Sequence, residues 1–191
     1  MNIGIDIDDT LNEISSKKIS IMENYIKKNN LPYKLVNAES NLFEEVFDWS
    51  KEDFNKFWFS TIDEELEKIE CKPFAKETIK NLRNKGHKIF IITARNSIWH
   101  KDPYKLSYDW LIKNEIEFDK LIIGQEEKVS SCLENKIDIF IDDHEKHIAS
   151  LNDVGIKTIL FKNIHNKNYI PNGKTVVFSS WKEINDYFEN L

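Results

Sequence analysis

At 191 residues and 22.7 kDa the chain holds enough material for one sizeable core with at most a small appendage. Its 40% hydrophobic and 12% aromatic content excludes a disordered chain, and a net charge of −6, from 27 basic against 33 acidic residues, argues against a nucleic-acid polymer as partner. No apolar run approaches the roughly 20 residues of a bilayer span, so no membrane partner is expected; the acidic N-terminal stretch and the isolated Cys71 and Cys132 suggest a reduced cytoplasmic protein.

Residues 3–11 read IGIDIDDTL, an apolar strand that runs straight into Asp6, Asp8 and Asp9. Burying carboxylates this close together costs on the order of several kcal/mol per ion unless something positive partners them. A helical period then runs from about 13 to 28 and stops at Asn29-Asn30-Leu31-Pro32. Two capping-box pairs, Ser50 with Asp53 and Thr61 with Glu64, predict two further helix starts. Pro73 opens a helix through Asn84 that Gly86 terminates at the position just past its end.

From there strands and helices alternate. KIFIIT (88–93) is a strand, 104–115 a helix, KLIIG (120–124) a strand and about 126–135 a helix. IDIFID (137–142) is the next strand, followed by a helix over 145–153, the strands KTILF (157–161) and TVVF (175–178), and a last helix from Trp181. Strands separated by helices imply an α/β fold: a three-layer, Rossmann-like parallel sheet covered on both faces. The segment 14–72 breaks the rhythm, being wholly helical and rich in aromatics (Phe43, Phe47, Trp49, Phe54, Phe57, Trp58, Phe59). It is too long for a crossover and reads as a small inserted helical cap, with residues 1–13 and 73–191 forming the core domain.

In an open parallel sheet the C-terminal strand ends share one crevice. The first strand runs into Asp6-Ile7-Asp8-Asp9-Thr10, the second into Thr93-Ala94-Arg95 and the fourth into Asp142-Asp143, with Lys128 at the start of the helix just before it. Hard oxygen donors from short Asp side chains, with no His or Cys among them, suit Mg²⁺.

These four motifs, in this order and context, resemble those of the haloacid dehalogenase-like (HAD) phosphohydrolases. The cap between the first and second motifs, the Thr93-Ala94-Arg95 sequence and the Trp-led last helix are most similar to the deoxyribonucleotidase, or cytosolic 5′-nucleotidase type C, branch. Asp9 departs from the Gly found there in many members. The resemblance implies a Mg²⁺-dependent phosphomonoesterase acting on (deoxy)nucleoside monophosphates through an aspartyl-phosphate, or the same chemistry on a sugar phosphate or cofactor precursor. Asp6 is then the nucleophile and Asp8 the general acid and base, its pKa raised by neighbouring charge and partial burial. Asp6, the main-chain carbonyl of Asp8, and Asp142 hold the metal, with Asp143 behind them. Thr93 and Lys128 hold the phosphate, Arg95 reaches phosphate or ribose, and Thr10 braces the loop.

The cap aromatics Phe43, Phe47 and Trp49 are expected to include contacts to a nucleobase, although a small cap also needs aromatics for its own core. His100, His144 and His147 read as surface or helix-end residues without a role. A receiver module also gathers an acidic pair, an Asp, a Thr and a Lys, but its acidic pair precedes the phosphorylated Asp and it has no inserted cap. A degenerate binding protein is disfavoured by the intact Asp6 and Asp8. The partner expected is thus a small phosphomonoester; a homodimer is left open.

Overall fold

The computed structural model describes residues 1–40 and 42–191. Among these, β1 (Asn2–Ile5), β2 (Lys88–Ile92), β3 (Lys120–Ile122), β4 (Ile139–Asp142), β5 (Lys157–Phe161) and β6 (Thr175–Phe178) form one six-stranded sheet. Its order is β3-β2-β1-β4-β5-β6, with every neighbouring pair parallel. The helices are α1 (Ile14–Lys28), α2 (Lys51–Lys68), α3 (Ala75–Asn84), α4 (Pro103–Lys113), α5 (Val129–Glu134), α6 (Glu145–Asp153) and α7 (Trp181–Glu189).

Alternation along each strand builds the layers. Ile3, Ile5, Ile89, Ile91, Ile139 and Ile141 point to one face and pack against Ala75, Ile79 and Leu82 of α3, Trp110 of α4, and Trp181, Ile184 and Phe188 of α7. Ile92 and Phe140 point to the other, where Cys132 of α5 and Leu151 of α6 cover them. The chain lays β2 and β3 on one side of β1 and β4, β5 and β6 on the other. Between β1 and β4 the connections therefore leave in opposite directions, and the loops above those two strand ends part to leave a crevice.

The segment 14–72 is not wholly helical as expected: between α1 and α2 the described residues hold only a short 3-10 turn, Phe43–Glu45, and an isolated antiparallel bridge between Leu35 and Phe47. The segment's apolar residues gather in a second hydrophobic cluster. Ile14, Met22 and Ile26 of α1 meet Phe54, Phe57, Ile62 and Leu66 of α2, with Val46, Phe47, Trp49 and, from α4, Leu106. Trp49 stacks on Phe57 at 5.1 Å between ring centroids, and Tyr25 meets Phe57 edge-on at 5.2 Å.

Two helix starts differ from expectation. Ser50 caps α2 as anticipated, its hydroxyl accepting from the Asp53 N–H at 3.1 Å, but α2 passes through Thr61 without a break. No Gly or Pro interrupts this stretch, and the apolar face Phe54, Phe57, Ile62 and Leu66 stays buried along one helix, so the second capping signal lies inside it. Helix α3 begins at Ala75 rather than Pro73, after Phe74 takes a left-handed conformation with φ of 66°. Gly86 behaves as expected, with φ of 83° and its N–H on the Arg83 carbonyl at 2.8 Å.

Gly4 marks the tightest point of the sheet. A Cβ there would lie 2.6 Å from Phe140 Cε2 and closer still to Cδ2. Gly4→Ala is expected to destabilise the protein by about 1–3 kcal/mol, measured as a fall in the urea midpoint. Phe140→Leu in the same chain should recover part of that loss.

Candidate active site

The strand ends deliver the acidic residues to the crevice between β1 and β4. Asp6 follows β1 directly, and its N–H donates to the Ile141 carbonyl at 3.0 Å, which ties the first acidic residue to β4. Asp142 closes β4 and Asp143 follows it. Carboxylate oxygens of Asp6, Asp142 and Asp143 all lie within 4.8 Å of one another. Lys128, at the N-cap of α5, places its buried ammonium between two of them, 2.6 Å from Asp6 Oδ1 and 2.8 Å from Asp142 Oδ2.

Burial pushes Asp6 up to about 6, with Asp142 and Asp8 adding to the rise and Lys128 opposing it. Asp142 goes the other way: burial raises it, but Lys128 and His147 outweigh that and hold it well below the usual carboxylate range. Asp143 is driven well above its ordinary value by burial and by the charges of Asp142, Asp9 and Asp6. Lys128 is raised because the two carboxylates overcome its desolvation. Three carboxylates around one ammonium leave the cluster short of positive charge.

The residues around the cluster hold it in place. Thr10 is buried, its hydroxyl 3.4 Å from Asp143 Oδ1, and its carbonyl accepts the Trp181 indole N–H at 3.0 Å. Asn163 donates to Asp143 Oδ2 at 2.9 Å, and Asn166 donates to the Asp143 carbonyl at 2.8 Å. His147 is not a bystander. Its Nδ1 lies 2.8 Å from Asp142 Oδ2 and its Nε2 3.1 Å from the Glu126 carbonyl, so the ring bridges β4's last residue and the loop before α5. His100 is buried against Asp63, while His144 is the N-cap of α6. These partners were hidden in the sequence because Asn and His are ordinary loop and helix-end residues. Only the position of His147, five residues past Asp142, hinted at its contact.

Asp8 departs from expectation. Arg95 donates from Nε to Asp8 Oδ2 at 2.8 Å and from Nη2 to Oδ1 at 2.7 Å, and Asn12 adds a bond to Oδ1 at 2.9 Å. Burial raises the Asp8 carboxyl, but the guanidinium and these hydrogen bonds carry it below its ordinary value, opposite to the rise a resting general acid needs. Arg95 itself is buried, and its Nη1 has no partner among the described residues. Thr93 is buried two residues past the Ile5–Ile91 pairing, its hydroxyl 3.4 Å from the Arg95 N–H. Asp9 turns away to the start of α1, where the Ser15 N–H donates to it at 3.0 Å.

The expected base contacts also need correction. Phe47 and Trp49 are buried inside the cap core, at 5% and 9% exposure, and Phe43 packs edge-on against Trp58. The cap had to spend them on its own packing. The cleft that reaches Asp9 and Asp143, about 730 Å³, is walled instead by Ser15, Asn37, Ser40, His144 and His165, with no Phe, Tyr or Trp among its described lining residues.

The sequence profile of the family described as 5′ nucleotidase, deoxy (pyrimidine), cytosolic type C, matches residues 1–189. The chain belongs to this family. As a cytosolic type C 5′-nucleotidase family member it is a phosphoric monoester hydrolase. It is 26% identical over 195 residues to a nucleotidase of Clostridium acetobutylicum, covering 100% of this chain and 95% of that one. Its fold is that of CbbY from Rhodobacter sphaeroides in complex with phosphate (TM-score 0.66, 13% identity, 96% and 95% of the two chains). It is also that of the magnesium-bound YfnB of Bacillus subtilis (TM-score 0.64, 14% identity, 100% and 98%).

The strain on Asp6 has a measurable sign. A carboxyl raised to about 6 binds its proton more tightly in the native than in the unfolded chain, so stability falls as pH rises from about 4 to 6 and stays lowered above that. Asp6→Asn removes this loss and is expected to stabilise the metal-free protein at pH 7 by about 1–3 kcal/mol, read as a higher Tm.

Proposed function

We propose that this nucleotidase-family hydrolase is a Mg²⁺-dependent phosphomonoesterase that cleaves (deoxy)nucleoside 5′-monophosphates through an aspartyl-phosphate on Asp6. The observation that carries the reading is the meeting of Asp6, Asp142 and Asp143 around Lys128 at the point where the sheet reverses its winding. The donor set fits Mg²⁺: three hard carboxylate oxygens, close enough to share one ion, with less positive charge nearby than they require. Asp6, Asp142 and the main-chain carbonyl of Asp8 would hold the ion, with Asp143 beside them. When bound, Mg²⁺ supplies the positive charge that lets an anionic phosphate approach a carboxylate.

This chain's own residues account for the rest. Asp6 attacks phosphorus directly, since a carboxylate needs no base to activate it. Lys128 and Thr93 hold phosphate oxygens, where one well-aimed donor contributes roughly 3–4 kcal/mol in the transition state. Asp8 protonates the leaving oxygen and then takes a proton from the attacking water. That role requires Arg95 to loosen its two-point hold once a phosphate arrives, and the unpartnered Arg95 Nη1 is a donor available to the incoming oxygen. Residues 14–72 serve as the cap over a core of residues 1–13 and 73–191, supported by the cap's separate hydrophobic cluster, and keep bulk water from the acyl phosphate.

The polar cleft, without aromatic rings among its described lining residues, favours a second reading, a sugar phosphate in place of a nucleotide, because sugar hydroxyls can bond the Ser, Asn, His, Glu and Lys side chains that line it. Phosphate release from a panel of nucleotides and sugar phosphates separates the two. Turnover is expected with Mg²⁺ and lost on chelation. Asp6→Asn should lower it by about three orders of magnitude or more. Appreciable activity in that variant would remove the nucleophile assignment. Trp49→Ala should lower Tm while leaving KM for dUMP unchanged, because Trp49 packs the cap and does not face the cleft.

A further inference from the structure

Helix α2 of the inserted segment and the loop after β2 are joined by bonds that the chemistry above does not use. The buried His100 ring donates from Nδ1 to Asp63 Oδ1 at 2.6 Å. The other Asp63 oxygen accepts from the backbone N–H of Lys101 at 3.2 Å. Earlier on the same helix, the Trp58 indole N–H donates to the Trp99 carbonyl at 2.9 Å, and the two rings meet edge-on with centroids 5.9 Å apart. Trp58 also lies against the His100 ring, at 6.2 Å.

One carboxylate satisfying donors on two consecutive residues fixes both the position and the orientation of that loop, which a purely apolar contact would not do. The loop is short. Arg95 lies in it four residues before Trp99, and its far side is tied down as well, with the Gly124 N–H on the Arg95 carbonyl at 2.7 Å and Asn96 on Glu126 at 2.9 Å. Between these two anchorages lies Arg95, which grips Asp8 at two points. The Asp63 charge also favours the Arg95 guanidinium.

We propose that Asp63, His100 and Trp58 form a clasp between the inserted segment and the loop after β2 that keeps Arg95 within reach of both Asp8 and an arriving phosphate oxygen, so that the guanidinium can pass a bond from the carboxylate to that oxygen without leaving the site. The clasp residues are positioning residues and touch no substrate. This inference rests on the reading of Asp8 as the acid and base of the reaction and adds the device that governs access to it.

The test uses the full chain with Mg²⁺ and p-nitrophenyl phosphate. Asp63→Ala is expected to lower kcat by about 10- to 100-fold, the range that an ångström of misplacement produces, with a much smaller change in KM. Combined with Arg95→Ala it should cost nothing further, because the clasp acts only through that side chain, whereas a merely structural role would give multiplying losses. Hydrogen exchange should quicken at residues 94–102 in Asp63→Ala and remain unchanged in the sheet. Asp63→Asn, which keeps an acceptor, should recover part of kcat. If Asp63→Ala does not fold, Trp58→Phe keeps the ring, loses one hydrogen bond and should show a smaller loss that also vanishes beside Arg95→Ala. A kcat within about twofold of wild type for Asp63→Ala, or multiplicative losses in the double variant, overturns the clasp while leaving the site reading intact. Wild-type protein that releases no phosphate from any substrate overturns both.

Discussion

Everything in this structure is arranged around a cluster of like charges that the sheet forces together. Asp6 must lie beside β4 because its N–H bonds Ile141, and Asp142 and Asp143 must follow β4 because the strand ends there. Lys128 offsets part of the repulsion by lying between Asp6 and Asp142, and a His147 ring nitrogen lies 2.8 Å from Asp142 Oδ2. The remainder shows as opposed responses: Asp142 is held ionised while Asp6 and Asp143 are pushed toward protonation.

The same economy explains the cap. A short helical insertion cannot rest on the main core alone, so it buries its own aromatics, and Phe47, Trp49, Phe54 and Phe57 form one cluster. Those rings are then withdrawn from any substrate. The cleft that reaches Asp9 and Asp143 is lined mainly by polar and charged side chains, Glu39, Glu45, Glu145 and Lys146 among them, which orient a ligand by hydrogen bonds and charge rather than by stacking. Residues that pack the inserted segment and residues that line the cleft are therefore different sets, the cleft drawing on both the inserted segment and the loops after β4 and β5.

The Arg95–Asp8 pair joins the loops that follow β2 and β1. A fork-shaped guanidinium on a carboxylate is a strong, directional bond in a buried setting, and it holds Asp8 in the ionised form. The pair belongs to a loop braced from the cap side by Asp63 and from the sheet side by Gly124, so the geometry at Asp8 depends on elements far from it in sequence.

The strands were legible because a parallel sheet buried on both faces demands continuous apolar runs, and an Asp ending such a run stands out. That is how Asp6, Asp142 and Asp143 announced themselves, and Lys128 with them by its place before β4. The start of α3 and the unbroken course of α2 were less legible, since one Pro and one extra capping signal are local features that tertiary burial overrode. Amino-acid order by itself determined the α/β layering, the inserted segment and the acidic strand ends, all of which follow from short-range periodicity. Only the tertiary structure decided the state of Asp8, the burial of Phe47 and Trp49, and the roles of His147, Asn163 and His100. Each of those depends on a partner distant along the chain, and charge and packing act through space, where sequence spacing carries no record of them.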